Sequence, residues 1–182
     1  MRRIGGARGT FWTPEQTATL LQAARSHSER DYLAILMLLN HALRASELIS
    51  LLPSDIRDGH LYVSRLKHSK RTVQPLTDKE RESFYILFNG VQPDGRIFPI
   101  SRMQLWRIIQ RHCLTAGIPL AASHPHSAKH THCRTVLAKT GNLQVVKTTA
   151  GHASISSTIQ YTQLSDQEAA KAAEGALVWN HQ

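Results

Sequence analysis

At four places just ahead of a helical pattern a serine or threonine is followed three residues later by glutamine or glutamate: Thr13–Gln16, Thr77–Glu80, Ser101–Gln104 and Ser165–Glu168. At this spacing the hydroxyl and the longer side chain cover each other's orphan N–H groups, so each site marks a helix start. Pro14 sits at the first helical position and strengthens the first of them. Leu20, Leu21 and Ala24 give that helix an apolar side. Asp31–Ala42 reads as a second helix with Leu33, Leu36, Met37 and Leu39 buried. The Thr77 and Ser101 starts open helices to about Phe88 and Ala116, the latter ended by Gly117. Further helices are predicted from about Ser127 to Lys139, through about Thr149 after the Gly141-Asn142 break, around Tyr161, and finally an Ala-rich helix ending near Trp179. One stretch has a different period. His60–Leu66 alternates, Thr72–Leu76 is β-rich, and the basic run Lys67–Arg71 joins them as a hairpin tip. Pro53–Gly59 reads as a turn region and Asn89–Pro99 as a loop. The predicted class is α+β, mostly α: a helical bundle with a small antiparallel β-sheet.

The 182 residues suit one domain over 11–182, preceded by a flexible basic tail at 1–10. No apolar run approaches the roughly 20 residues that span a bilayer, so no membrane is expected. Cys113 and Cys133 make no disulfide framework, and a cytoplasmic, nucleoid-associated location is the expectation. Lys and Arg outnumber Asp and Glu by 22 to 13, a formal +9. Such an excess points to a polyanionic partner, most simply nucleic acid.

The chemistry-bearing residues concentrate late in the chain. Ser123–Leu164 holds His126, Lys129, His130, His152 and Tyr161: imidazoles, an ammonium and a phenol. Arg44 interrupts two apolar helical stretches, three residues before Glu47. It reads either as a surface arginine paired with Glu47 or as a half-buried guanidinium that Glu47 orients toward a phosphate. Arg65, His68, Lys70 and Arg71 around the hairpin tip are candidate DNA contacts. His112, His124, His126, His130, His132 and Cys133 crowd together, but no pair has an established zinc spacing with a matching second half, so no metal is assigned.

In order along the chain, Arg44 in HALRASELISL, Lys67 at the hairpin tip, HPHSAKH, AGH and Tyr161 in TIQYTQL resemble the catalytic domain of tyrosine recombinases, the phage integrase family. Lys129 precedes His152 by 23 residues and His152 precedes Tyr161 by nine, spacings that fit the family. RASE followed by YVSRLK is most similar to the short recombinases that invert fimbrial promoter switches. The resemblance implies the catalytic-domain fold, site-specific breakage and rejoining of double-stranded DNA, and no metal, ATP or other cofactor. It implies Tyr161 as nucleophile forming a 3′-phosphotyrosyl bond. Arg44 is then the grip on the non-bridging oxygens, Lys67 the proton donor to the leaving 5′-oxygen, His126 the acceptor of the tyrosine proton, and His152 a donor to the phosphate. Glu47 and His130 are expected to support them. It also implies self-association into dimers and tetramers on DNA through the C-terminal segment.

One position departs from the family motif His-x-x-Arg, which here is His126-Ser127-Ala128-Lys129. Lysine keeps the charge and loses the planar fork that binds two phosphate oxygens at once. Three readings stay open: a site that works with lysine, a recombinase-derived DNA-binding protein with weak or no catalysis, or replacement by another cation, with Arg134 nearest in sequence.

Overall fold

The computed structural model describes residues 11–65, 71–90 and 95–152, together with 154 and 158. In chain order it contains α1 (Pro14–His27), α2 (Glu29–Asn40), α3 (Ala45–Ile49), β1 (Ile56–Arg57), β2 (His60–Val63), β3 (Thr72–Pro75), α4 (Asp78–Phe88), α5 (Arg102–Thr115), α6 (Pro125–Thr140) and α7 (Leu143–Thr149). Short 3-10 turns lie at Pro53–Asp55 and Leu120–Ala122. The expected class holds, a helical bundle beside a small antiparallel sheet.

Helix α2 is the axis of the core. Every residue from Asp31 to Leu39 is buried, so it is enclosed on all sides rather than amphipathic. It packs against α1, α4 and α6. It starts at Glu29, two residues before the expected Asp31, because the Ser28 hydroxyl accepts from the Asp31 N–H. It stops at Asn40, short of the expected Ala42, whose φ of +50° is incompatible with a helix. Helix α4 is tied to its end. Glu80 completes the capping box with Thr77 and also accepts from Asn40 Nδ2, with His41 Nε2 at 2.9 Å. Burial pushes the Glu80 carboxyl up, yet the His41 and Thr77 donors hold it below the usual carboxylate range. Trp12 pins the start of the described chain to α6 and the turn before it, donating from its backbone to Thr131 Oγ1 and from its indole to Ala122 O.

The sheet has three strands in the order β1-β2-β3, all antiparallel. The first lies in the stretch expected to be only a turn. Arg57 pairs with His60, so a two-residue turn joins β1 to β2. Asp58 and Gly59 occupy it with φ of +50° and +71°. Asp-Gly is well suited to two successive left-handed residues, and it is a strong short hairpin signal. Cys113 and Cys133 are both buried free thiols. Among the described residues, no helix is long and apolar enough to cross a membrane.

Candidate active site

The site is assembled from turns that follow helices. Ala42, in its left-handed conformation, turns the chain from α2 into α3, so Arg44 becomes the residue that caps α3. Glu47, three residues on, accepts the Arg44 backbone N–H at 2.8 Å with one oxygen and its guanidinium at 2.7 Å with the other. The Glu47 carboxylate is buried while the Arg44 side chain is 31% exposed. Glu47 thus fixes the orientation of a half-buried Arg44 guanidinium.

Helix α6 brings the next groups. It begins at Pro125, two residues before the expected start, because the His124 imidazole accepts the Ser127 N–H. His126 then falls in the first turn, with its ring edge-on to His130, centroids 4.3 Å apart. Burial lowers the His126 imidazole, and His124, Lys129 and Arg44 lower it further. His130 is pushed down to about 4 by burial, then by His126, His124 and Lys129. Their electrostatic setting favours neutral rings near pH 7.

Lys129 is buried on the inner face of α6, at 3% exposure. Its ammonium donates to Ala42 O at 3.1 Å and to Ala150 O at 2.8 Å. Burial, then the cations Arg65 and Arg44, hold it down at about 8, with Glu47 and Cys133 acting the other way. Arg134, the alternative cation, lies over the Phe11 ring at 4.2 Å.

Helix α7 ends at Thr149, and Gly151, with φ of +65°, turns the chain to His152. His152 Nδ1 lies 3.0 Å from Thr158 Oγ1. Burial, then Lys129, Arg44 and Arg65, push His152 down to about 4. Arg44 thus acts electrostatically on His126, Lys129 and His152, which lie on two other elements.

The hairpin residues divide. Arg71 is exposed beside β3. Arg65, expected as a DNA contact, has a side chain with no exposure and lies in the interior. The reason is strand period: Leu61, Val63 and Arg65 share the buried face. Lys67, His68, Lys70 and Tyr161 lie outside the described residues, as does the expected C-terminal helix.

Of the crowded histidines, His126 and His130 stay in contact, whereas His112 and His132 are tied to other partners. His112 Nε2 and His27 Nδ1 meet one oxygen of buried Asp31 at 3.0 and 3.2 Å, and Arg30 meets the other. His27, Asp31 and His112 form the one ligand-like cluster among the described residues. Arg111 lies 3.0 Å from His27 Nε2, so cations already surround this carboxylate. His132 instead donates from Nδ1 to Leu39 O at 2.7 Å, and its Nε2 lies 2.9 Å from Thr149 Oγ1.

A cleft of about 760 Å³ opens beside Arg44 and His126, with Arg102, Trp106 and His124 also in its wall. Sequence reasoning passed over Arg102 and Trp106 and weighed His124 only as a metal ligand. On α5, Leu105, Ile108, Ile109, His112 and Cys113 are the buried face; Trp106 lies at its edge, and Arg102, the first residue of the helix, is in phase with it yet exposed, so periodicity alone does not mark it. Trp106 is 40% exposed.

The family model described as the phage integrase family matches residues 10–168. A tyrosine recombinase of Pseudothermotoga lettingae is 31% identical over 166 residues, covering 87% of this chain and 57% of the relative. The type 1 fimbriae regulatory protein FimE of Escherichia coli K12 is 30% identical over 186 residues, covering 93% of this chain and 90% of the relative. Among solved structures, XerA recombinase superposes with a TM-score of 0.77 at 20% identity over 99% of this chain and 68% of its own. The catalytic domain of bacteriophage HP1 integrase does so with 0.67 at 22% identity over 96% and 100%. The chain thus spans little more than half of the Pseudothermotoga relative and nearly all of FimE. With the family model covering most of its length and the expected fold in place, this chain belongs to the phage integrase family of tyrosine recombinases.

Proposed function

We propose that the protein is a site-specific DNA recombinase that breaks and rejoins double-stranded DNA through Tyr161. The observation that supports this reading is that Arg44 and His126 line one cleft, with Arg44 acting electrostatically on both His126 and His152. The phenol oxygen of Tyr161 attacks the scissile phosphorus, a new O–P bond forms, and the bond to the 5′-oxygen breaks. His126, neutral at working pH, takes the phenol proton. A free phenol titrates near 10 and needs such a base or a cationic site to attack at neutral pH. Arg44 holds the non-bridging oxygens with a guanidinium that Glu47 has already oriented. With Nδ1 accepting from the Thr158 hydroxyl, His152 presents Nε2–H to the phosphate. Lys67 protonates the leaving oxygen. One phosphodiester replaces another, so rejoining needs no nucleotide. Each fixed donor to the developing charge is worth roughly 3 kcal/mol of barrier.

Arg71, with His68, Lys70 and the cleft bearing Arg102 and Trp106, forms the DNA-contact surface in this reading, and the C-terminal segment joins protomers on DNA. XerH is named as bound to its difH substrate, and a lambda integrase dimer as bound to a core site. The fimbrial relatives support inversion as the outcome of exchange. The second reading, a recombinase-derived DNA-binding protein, is favoured by one observation: Lys129 is turned to backbone carbonyls and has no fork to offer a phosphate.

One experiment separates the two. Duplexes retained by the protein from a random pool are remade with a nick beside the protected centre and incubated with it. The recombinase gives a denaturant-resistant protein–DNA adduct that Tyr161→Phe abolishes. Retention of the duplex with no adduct at any nick position would establish the binding protein instead.

A further inference from the structure

Arg65 donates five side-chain hydrogen bonds to the elements around the site. Its Nε donates to Thr72 Oγ1 at 3.1 Å. One terminal nitrogen donates to Ala42 O and to Glu47 Oε2, both at 3.1 Å. The other donates to His41 O at 2.7 Å and to Thr149 O at 3.1 Å. These acceptors come from the α2–α3 turn, α3, β3 and the end of α7. A guanidinium presents its donors in a rigid planar fork, so one bound in this way fixes the acceptors relative to each other.

The pieces it joins are the ones that carry the catalytic groups. His41 and Ala42 lead into Arg44. Thr149 is the last residue of α7, and its carbonyl is among those a helix end leaves without an internal partner. Two residues of turn then lead to His152. Glu47 Oε2 receives both Arg65 and the Arg44 backbone N–H. Lys129 repeats the pattern one residue along, linking Ala42 O to Ala150 O. The two cations therefore share the carbonyl of Ala42, a non-glycine residue at φ +50°. A strained conformation of this kind persists where its surroundings over-determine it.

We propose that Arg65 is a positioning residue of the active site: it fastens the turn bearing Arg44 to the turn bearing His152, and Lys129 acts with it as the second half of the same clasp. The position that departs from the family motif works here on the protein backbone. The clasp sets the spacing of Arg44 and His152 before DNA arrives, and its catalytic consequence rests on the recombinase reading above.

The test has one arm that needs no DNA and one that does. Arg65→Lys keeps a buried cation and loses the fork. Hydrogen exchange followed by mass spectrometry should show faster exchange, tenfold or more, in peptides covering 41–48 and 145–152. Exchange in α1 and α5 should stay within threefold of wild type. Unchanged exchange in the two turns, or an equal rise throughout, overturns the clasp. In the second arm the selected nicked duplex is held at saturating protein, and the exponential rate of adduct formation is read separately from its final amount. A folding defect lowers the amount, whereas misplacement lowers the rate constant. Arg65→Lys should slow the rate constant at least tenfold and Arg65→Met at least a hundredfold, with DNA retention within threefold. Arg65→Met added to Lys129→Met should slow it less than the product of the single effects. A rate constant at the wild-type value in Arg65→Lys overturns the catalytic role. A wild-type protein that forms no adduct defeats the recombinase reading, and the exchange arm still decides the clasp.

Discussion

Lys129 carries an ammonium in a place that disfavours its charge. Burial, then Arg65 and Arg44, hold it at about 8, against 10.5 for a free lysine. Below pH 8 it is charged whether folded or unfolded, and the folded state bears the full cost, on the order of 3 kcal/mol. Between about pH 8 and 10.5 the unfolded chain binds the extra proton, so that cost is relieved as pH rises. Urea unfolding of wild type and Lys129→Met, compared at pH 7 and pH 10, should show wild type gaining on the variant by up to about 3 kcal/mol. An unchanged difference would mean that the ammonium is well solvated. His132 works on the acid side. Burial pushes it down to about 4, although the Leu39 carbonyl pulls the other way. Between about pH 6.5 and 4 the unfolded chain takes up this proton first, so stability falls with pH across that window. His132→Gln should soften the acid slope.

At the scale of elements, the helices rest on tertiary burial more than on their own propensity. Ile35 on α2 has no exposed surface, and Ile35→Ala should lower unfolding free energy by about 2–5 kcal/mol in a denaturant titration. Gly141 is different: it closes α6 at φ +61° with open space where a side chain would go. Gly141→Ala should cost about 1 kcal/mol, from backbone strain alone. Helix starts were the most legible feature. Three of the four capping boxes fall on described residues, and each opens its helix as expected. They are legible because the partners lie three residues apart and need nothing from the rest of the chain. The Asp58-Gly59 hairpin was equally local and was passed over, since its first strand is only two residues long.

For the whole molecule, a formal +9 makes salt the natural probe of the proposed DNA surface. Four phosphate contacts would weaken duplex binding about 100-fold between 50 and 200 mM salt. Arg71→Ala should reduce the slope of log affinity on log salt by about one unit, read by fluorescence anisotropy on a labelled duplex. An unchanged slope would remove Arg71 from the interface. Arg102 and Trp106 extend that surface in a way visible only after α5 is docked and its buried face is known.

The amino-acid sequence by itself determined the order of the helices, the starts of the three described ones that carry a capping box, the fold class, the family and the inventory of groups that the site draws on. Each of these rests on neighbours in the chain or on an ordered motif. The tertiary structure decided which cations look outward and which look in. Arg44 and Arg65 are both arginines beside apolar runs; the sequence offered Arg65 as a DNA contact and left Arg44 between a surface ion pair and a phosphate grip, the role the resemblance gave it. Arg65 is internal because carbonyls from His41, Ala42 and Thr149, up to 84 positions away, converge on it. Lys129 is internal for the same reason, through Ala42 and Ala150. A buried cation is tolerated only where such acceptors surround it. They gather only when the α2–α3 turn and the end of α7 are brought together.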